Sequence, residues 1–122
     1  MKTIVHVEDS LLMQSRVAQW IQTLHRGAAI LSTDTLANAE ELIANHAPDF
    51  LILDLYLPDG NALERIAFFK WMAPGMQIAV FSNESSDFMR HICFERGADW
   101  VFDKSTDITK LIEVICPAQE TY

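Results

Sequence analysis

The run Phe50-Leu51-Ile52-Leu53-Asp54-Leu55 constrains this chain more than any other feature. Its first four residues are apolar on both faces of an extended strand. A strand of that kind must be covered on both sides, which is the position of a central strand in a parallel sheet between two helix layers. A strand with one wet face would alternate instead. The run is then broken by a carboxylate. A carboxylate beside a buried strand is costly unless something pairs with it, so Asp54 marks the strand's end as a place where charge is handled.

The rest of the chain supplies the partners such a strand needs. Ile4 to Val7 is a short β-branched run and reads as the first strand. From Ser10, apolar residues recur at Met13, Val17, Trp20, Ile21 and Leu24, one face of a helix with Ser10 as N-cap and Gly27 as its stop. Ala28 to Leu31 is a weaker second strand. Leu36, Ala39, Leu42, Ile43 and His46 return to helical spacing, and Pro48 ends that element. After the central strand, Pro58-Asp59-Gly60 is turn chemistry. A helix over Ala62 to Met72 follows, closed by Pro74-Gly75. Met76 to Phe81 is another near-continuous apolar strand. Ser85 or Ser86 caps a helix running to Gly97, Trp100 to Phe102 is a fifth strand, and Ile108 to Ile115 a last helix ended by Pro117.

Five βα units in strict alternation predict a doubly wound α/β fold, a parallel sheet with helices on both faces. For five strands the common order is 2-1-3-4-5, the flavodoxin-like arrangement. Ligands then bind beyond the carboxyl ends of the strands, where the first and third part. The 122 residues make one domain, 1–122, large enough to fold without disulfide or structural metal. Cys93 and Cys116 lack metal or redox spacing and read as reduced, buried thiols. The four histidines, His6, His25, His46 and His91, are dispersed and read as surface or semi-buried imidazoles. The N-terminus reaches Glu8 and Asp9 too early for a signal peptide, and no apolar run approaches a membrane span, so a cytoplasmic protein is expected. Nine basic against 17 acidic residues give a net charge of −8 with no basic patch. That charge argues against direct binding of nucleic acid or an anionic membrane surface.

Four predicted strand ends carry polar side chains at that one edge. They are Glu8-Asp9 on the first strand, Asp54 on the third, Ser82-Asn83 on the fourth and Asp103-Lys104 on the fifth. Each has an ordinary structural use: Asp9 or Ser10 as a helix cap, Asp54 as a turn former, Ser82 as a strand end, Lys104 as a solvated charge. Their convergence favours chemistry. Glu8, Asp9 and Asp54 cannot all stay ionised together without a cation. With Lys104 their sum is −3 + 1 = −2, which one divalent ion balances; an all-oxygen ligand set favours Mg²⁺ or Mn²⁺. An accessible carboxylate beside such an ion can act as a nucleophile toward phosphorus. Lys104 and Ser82 can meet phosphoryl oxygens as a point charge and a hydroxyl.

These residues resemble a known family, the receiver domain of two-component response regulators. The resemblance runs through Val5-His6-Val7-Glu8-Asp9-Ser10, Pro48 to Leu55 with Leu57-Pro58-Asp59-Gly60, Ala79-Val80-Phe81-Ser82, and Gly97-Ala98-Asp99 leading to Lys104. It implies that Asp54 is the phosphoacceptor. Glu8 and Asp9 are then the metal-binding acids, joined by Asp54 and the backbone carbonyl of Tyr56. It makes Ser82 the switch hydroxyl and Lys104 the phosphate-contacting lysine. The implied donor is a phosphohistidine on a sensor kinase or phosphotransfer protein. The implied readout surface is the helix 4, strand 5, helix 5 face, serving an unidentified output protein or a homodimer. The chain would catalyse only its own phosphorylation and dephosphorylation and would not be a general enzyme.

Some positions depart from the family pattern. Ser105 follows Lys104 where proline is usual, which puts a cis peptide there in doubt. Val101 holds the aromatic switch position, with Trp100 and Phe102 one step to either side and so on the opposite sheet face. Asn83 is bulkier than the usual residue beside the site. Tyr56 and Glu84 occupy positions that tune dephosphorylation in the family. Phe68, Phe69 and Trp71 cannot all face inward, and exposed apolar residues are expected among Phe88, Met89, Phe94 and Trp100. Two other functions compete with this reading. One is a phosphorylation-independent interaction module on the same fold. The other is a small aspartyl-phosphate hydrolase of the haloacid dehalogenase type, which would need a second acid where Tyr56 stands.

Overall fold

The computed structural model describes residues 2–117, and the segment 118–122 lies outside them. The main sheet has five parallel strands, β1 (Thr3–Val7), β2 (Ala29–Thr33), β3 (Phe50–Leu53), β4 (Gln77–Ser82) and β5 (Trp100–Asp103). Their spatial order is β2-β1-β3-β4-β5, the doubly wound order expected from the alternation. The helices are α1 (Leu11–Leu24), α2 (Leu36–His46), α3 (Ile66–Met72), α4 (Asp87–Glu95) and α5 (Ile108–Ile115).

All four residues of β3 are buried, and β3 pairs with β1 on one side and β4 on the other. Alternate residues along each strand feed two cores. Val5, Val7, Leu51, Leu53, Ile78, Val80 and Val101 pack with α2, α3 and α4. Ile4, Phe50, Ile52, Ala79, Phe81 and Phe102 pack with Val17 and Ile21 of α1 and Leu111, Ile112 and Ile115 of α5. Val101 thus faces one helix layer, while Phe102 and the partly buried Trp100 face the other.

Local chemistry sets the element ends. Ser10, Thr35 and Ser86 cap α1, α2 and α4, each accepting a hydrogen bond from the amide three residues on. After β3 a small hairpin pairs Tyr56–Leu57 with Gly60–Asn61 around the Pro58-Asp59 turn, and Gly60 sits at φ +147°, where a side chain would be strained. The turn also serves α2: Asp59 accepts from Leu36 N at 2.8 Å and Ala37 N at 3.0 Å, which lowers its pKa.

The structure corrects several expectations. Helix α1 ends at Leu24 with His25 as its cap, before Gly27. Its buried residues are Val17 and Ile21; Trp20 and Leu24 are 42% and 62% exposed. Trp20 lies on the flank of the apolar stripe, and Leu24 is the last helical residue, where the stripe runs out. The stretch Ala62 to Met72 opens as a 3₁₀ turn, Ala62–Arg65, before α3. The second strand lies later than expected, reaching Thr33. Cys116 is only partly buried, though both cysteines are free thiols. Phe69 is buried while Phe68 and Trp71 stack outside, and Phe88 and Phe94 are exposed on α4. Among the described residues no helix is long and apolar enough to cross a membrane.

His6 is the sharpest correction: it is 1% exposed, not surface or semi-buried. Its neighbours in the sheet are Ser32 and Ile52, and its Nδ1 has no hydrogen-bond partner. Burial, helped by the Lys104 charge, lowers its pKa from 6.5 to about 4. The unfolded chain therefore binds this proton at higher pH than the folded one. The part of the stability linked to His6 is complete above pH 6.5 and is lost as the pH drops toward 4, about 3 kcal/mol in all. Replacing His6 by Leu should flatten the loss of unfolding free energy between pH 6.5 and 4, measured by urea denaturation across that range. An unchanged slope would assign the loss to other groups.

Candidate functional site

The register brings the chemistry together. Val7 pairs with Leu53, so Glu8 and Asp54 leave β1 and β3 at the same level. Ser82 pairs with Asp103, so Lys104 leaves β5 one residue beyond the level of the hydroxyl. Backbone bonds continue past the strands: Glu8 N donates to Thr33 O at 2.9 Å, Asp54 N to Val7 O at 3.1 Å and Lys104 N to Ser82 O at 3.0 Å.

Lys104 is the centre of the cluster. Its Nζ donates to Asp54 Oδ2 at 2.9 Å and stands 2.5 Å from Glu8 Oε1. The Lys104, Glu8 and Asp54 side chains are only 10%, 1% and 8% exposed. Burial alone would lower the lysine's pKa, but its bonds to Glu8 and Asp54 more than reverse that and raise it. Burial raises the Glu8 pKa, against the Lys104 and Ser10 hydrogen bonds that favour the carboxylate. Glu8 Oε2 accepts from Ser10 N at 3.2 Å. Oε1 is buried against the Lys104 ammonium, which is its partner.

Glu8, Asp9 and Asp54 each place a carboxylate oxygen within 4.8 Å of the other two. Asp9 is exposed and forms the mouth; Glu8 and Asp54 form the floor. Three hard oxygen donors and a local charge of −2 after Lys104 fit a divalent cation. Ser82 is buried, and its Oγ accepts from Glu84 N at 3.3 Å. The Tyr56 hydroxyl donates to the Glu84 carboxylate, linking the loops after β3 and β4, and this bond raises the tyrosine's pKa. Asn83 is exposed beside them. The Lys104–Ser105 peptide is trans, as are all those described.

Sequence reasoning gave no role to two features. Asp103 accepts from Ser85 Oγ at 2.7 Å and from Ser105 N at 2.7 Å. The local signal was an Asp followed two residues later by Ser; the bond to Ser85 has no local signal. Arg90 of α4 donates to Val101 O at 2.7 Å, and its guanidinium lies 5.9 Å from the Phe94 ring centre. The bond to Val101 crosses elements and leaves no trace in local spacing, whereas Arg90 and Phe94 are four residues apart on one helix.

A family model described as the response regulator receiver domain matches residues 4–116. The DNA-binding transcriptional regulator NtrC of Azospirillum brasilense is 26% identical over 113 residues. That match covers 93% of this chain and 23% of the relative, so the chain spans about a quarter of the relative's length. The signal receiver domain of a DNA-binding response regulator (merR) from Colwellia psychrerythraea superposes with a TM-score of 0.88 at 20% identity, covering 94% of this chain and 95% of that one. A response regulator from Burkholderia pseudomallei, solved with a phosphorylated aspartic acid, a calcium ion and citrate, gives 0.85 at 20% identity, covering 94% and 66%. At these identities the two structures share the fold.

Lys104 separates two buried carboxylates, so its removal leaves both uncompensated. Lys104→Ala should lower the unfolding free energy by about 3 kcal/mol, read from urea denaturation. A loss below about 1 kcal/mol would mean that solvent or repacking already screens Glu8 from Asp54.

Proposed function

The chain belongs to the response regulator receiver domain family, and on that premise we propose that it is a phosphorylation-controlled signalling switch with Asp54 as phosphoacceptor. The observation that carries the reading is the Lys104 ammonium held 2.9 Å from Asp54 Oδ2, beside the open acid cluster of Glu8 and Asp9. The nucleophile, a cation for the incoming oxygens and a set of metal ligands thus meet at one sheet edge.

A carboxylate oxygen of Asp54 attacks phosphorus in a phosphohistidine of a sensor kinase or phosphotransfer protein. A P–O bond forms and the P–N bond breaks, its electron pair staying on the imidazole nitrogen. Lys104 exchanges its Asp54 partner for an oxygen of the transferred group. Ser82 turns from the Glu84 amide to donate its hydroxyl proton to another. In the return step water attacks phosphorus, the P–O bond to Asp54 breaks, and the carboxylate and inorganic phosphate are released. Glu8, Asp9, Asp54 and the Tyr56 backbone carbonyl would hold Mg²⁺ or Mn²⁺. A cation bound there neutralises phosphoryl oxygens and orients them. Tyr56 and Glu84 stand where they modulate access of water, with Asn83 beside them.

On this reading the chain is not a general enzyme; it acts only on its own aspartate. Its output partner, or a second copy, would read the face of α4, β5 and α5, where Phe88 and Phe94 are exposed. The two free thiols suit a cytoplasmic setting. DNA binding is a property of the longer NtrC relative, and the charge of −8 argues against direct contact by the residues here.

The test is intact-mass analysis after incubation with acetyl phosphate and Mg²⁺. A single phosphoryl adduct is expected, lost on chelation and lost in Asp54→Ala with its fold retained. A folded wild-type chain that takes no adduct, or an undiminished adduct in Asp54→Ala, would overturn the assignment. The first result would favour the phosphorylation-independent module.

A further inference from the structure

Asp103 stands at the end of β5, next to Lys104, and the phosphoacceptor reading leaves it without a task. Its carboxylate is nonetheless fully engaged. Oδ2 accepts from Ser85 Oγ at 2.7 Å. Oδ1 accepts from Ser105 N at 2.7 Å and Ser105 Oγ at 2.5 Å. Its own amide donates to Asp107 Oδ2 at 2.9 Å. The Ser105 and Ser85 bonds hold its pKa down at about 2, so it is a carboxylate at any working pH.

Ser85 lies three residues after Ser82, in the loop between β4 and α4. Two bonds therefore tie that loop to the one after β5: Ser85 to Asp103 through side chains, and Lys104 N to Ser82 O through the main chain at 3.0 Å. Ser105 contributes because it is not proline. A proline would bring no amide hydrogen and no hydroxyl, and Asp103 Oδ1 would lose both donors.

We propose that Asp103 is a positioning residue: with Ser85 and Ser105 it clamps the Lys104 loop and the Ser82 loop into one frame. The proposal rests on the phosphoacceptor reading of Asp54. At rest, Lys104 is held by Glu8 and Asp54, and Ser82 accepts from Glu84 N. Both side chains change partners when a phosphoryl group arrives. Lysine carries its charge on a flexible four-carbon stem, so the backbone frame decides where the ammonium can reach during that exchange. A misplacement of about 1 Å in such a group can cost about a hundredfold in rate. The clamp fixes the distance between the two receiving groups while their own bonds are being remade.

The experiment measures the initial rate of phosphoryl adduct formation against acetyl phosphate concentration, by intact mass with Mg²⁺ present, well below each variant's melting temperature. Wild type, Ser85→Ala, Asp103→Ala and Ser85→Thr are compared. Asp103→Ala should lower the maximal rate by about tenfold, and Ser85→Ala by about threefold or more, with little change in the half-saturating concentration. Ser85→Thr keeps the hydroxyl and should restore the rate. Ser85 is a half-buried loop residue, so its variants test the clamp even if Asp103→Ala folds poorly. Wild-type maximal rates in Ser85→Ala and Asp103→Ala would overturn the proposal, as would a Ser85→Ala loss that Ser85→Thr does not rescue. A wild-type chain that forms no adduct would instead overturn the phosphoacceptor reading, and this proposal with it.

Discussion

One lysine head sets the terms for this sheet edge. Lys104 Nζ lies 2.9 Å from Asp54 Oδ2 and 2.5 Å from Glu8 Oε1, with all three side chains nearly out of water. Two buried carboxylates on neighbouring strands would repel each other and bear the full cost of desolvation. The ammonium makes their approach tolerable and in doing so draws β1, β3 and β5 to a common level. The same contact leaves the site under-neutralised. Three acids against one lysine leave a local charge of −2, which a divalent cation would balance. Structural pairing and chemical readiness are here two aspects of one interaction.

The order of elements was legible because a doubly wound sheet writes itself in periodicity. Strands buried on both faces are continuous apolar runs, as in Phe50 to Leu53, and the helices between them keep a spacing of three and four. Less legible was how far each apolar stripe is covered. Trp20 and Leu24 fit the stripe of α1 and are nevertheless exposed, because periodicity gives a direction on a helix and not the extent of the surface it meets. His6 erred the other way. A histidine in a β-branched run looks polar, yet its place on an inner strand, flanked by β2 and β3, buries it whatever its side chain prefers.

The site was more legible than the packing, because its residues fall at strand ends. Register then does what spacing cannot. Val7 opposite Leu53 and Ser82 opposite Asp103 turn four separate stretches of chain into one surface. The connections between loops were not legible. Tyr56 to Glu84 spans 28 residues, Ser85 to Asp103 spans 18, and Arg90 to the Val101 carbonyl spans 11. Such bonds depend on where loops cross in space, and a polar residue in a loop has too many local uses for its distant partner to be read from the chain.

These connections also define what couples the loops around Asp54. Val101 packs in the layer of α2, α3 and α4, while Trp100 and Phe102 belong to the layer of α1 and α5. Val101 has no ring to rotate, and the aromatic rings beside it are separated from that layer by the sheet itself. What does link the loops around the site is polar: Glu84 between Ser82 and Tyr56, Asp103 between Ser85 and Ser105, and Arg90 between α4 and β5. Hydrogen bonds of this kind have discrete partners, and exchanging one partner obliges its neighbours to choose again. With valine at position 101, the links between these loops and α4 run through donors and acceptors and not through an aromatic ring.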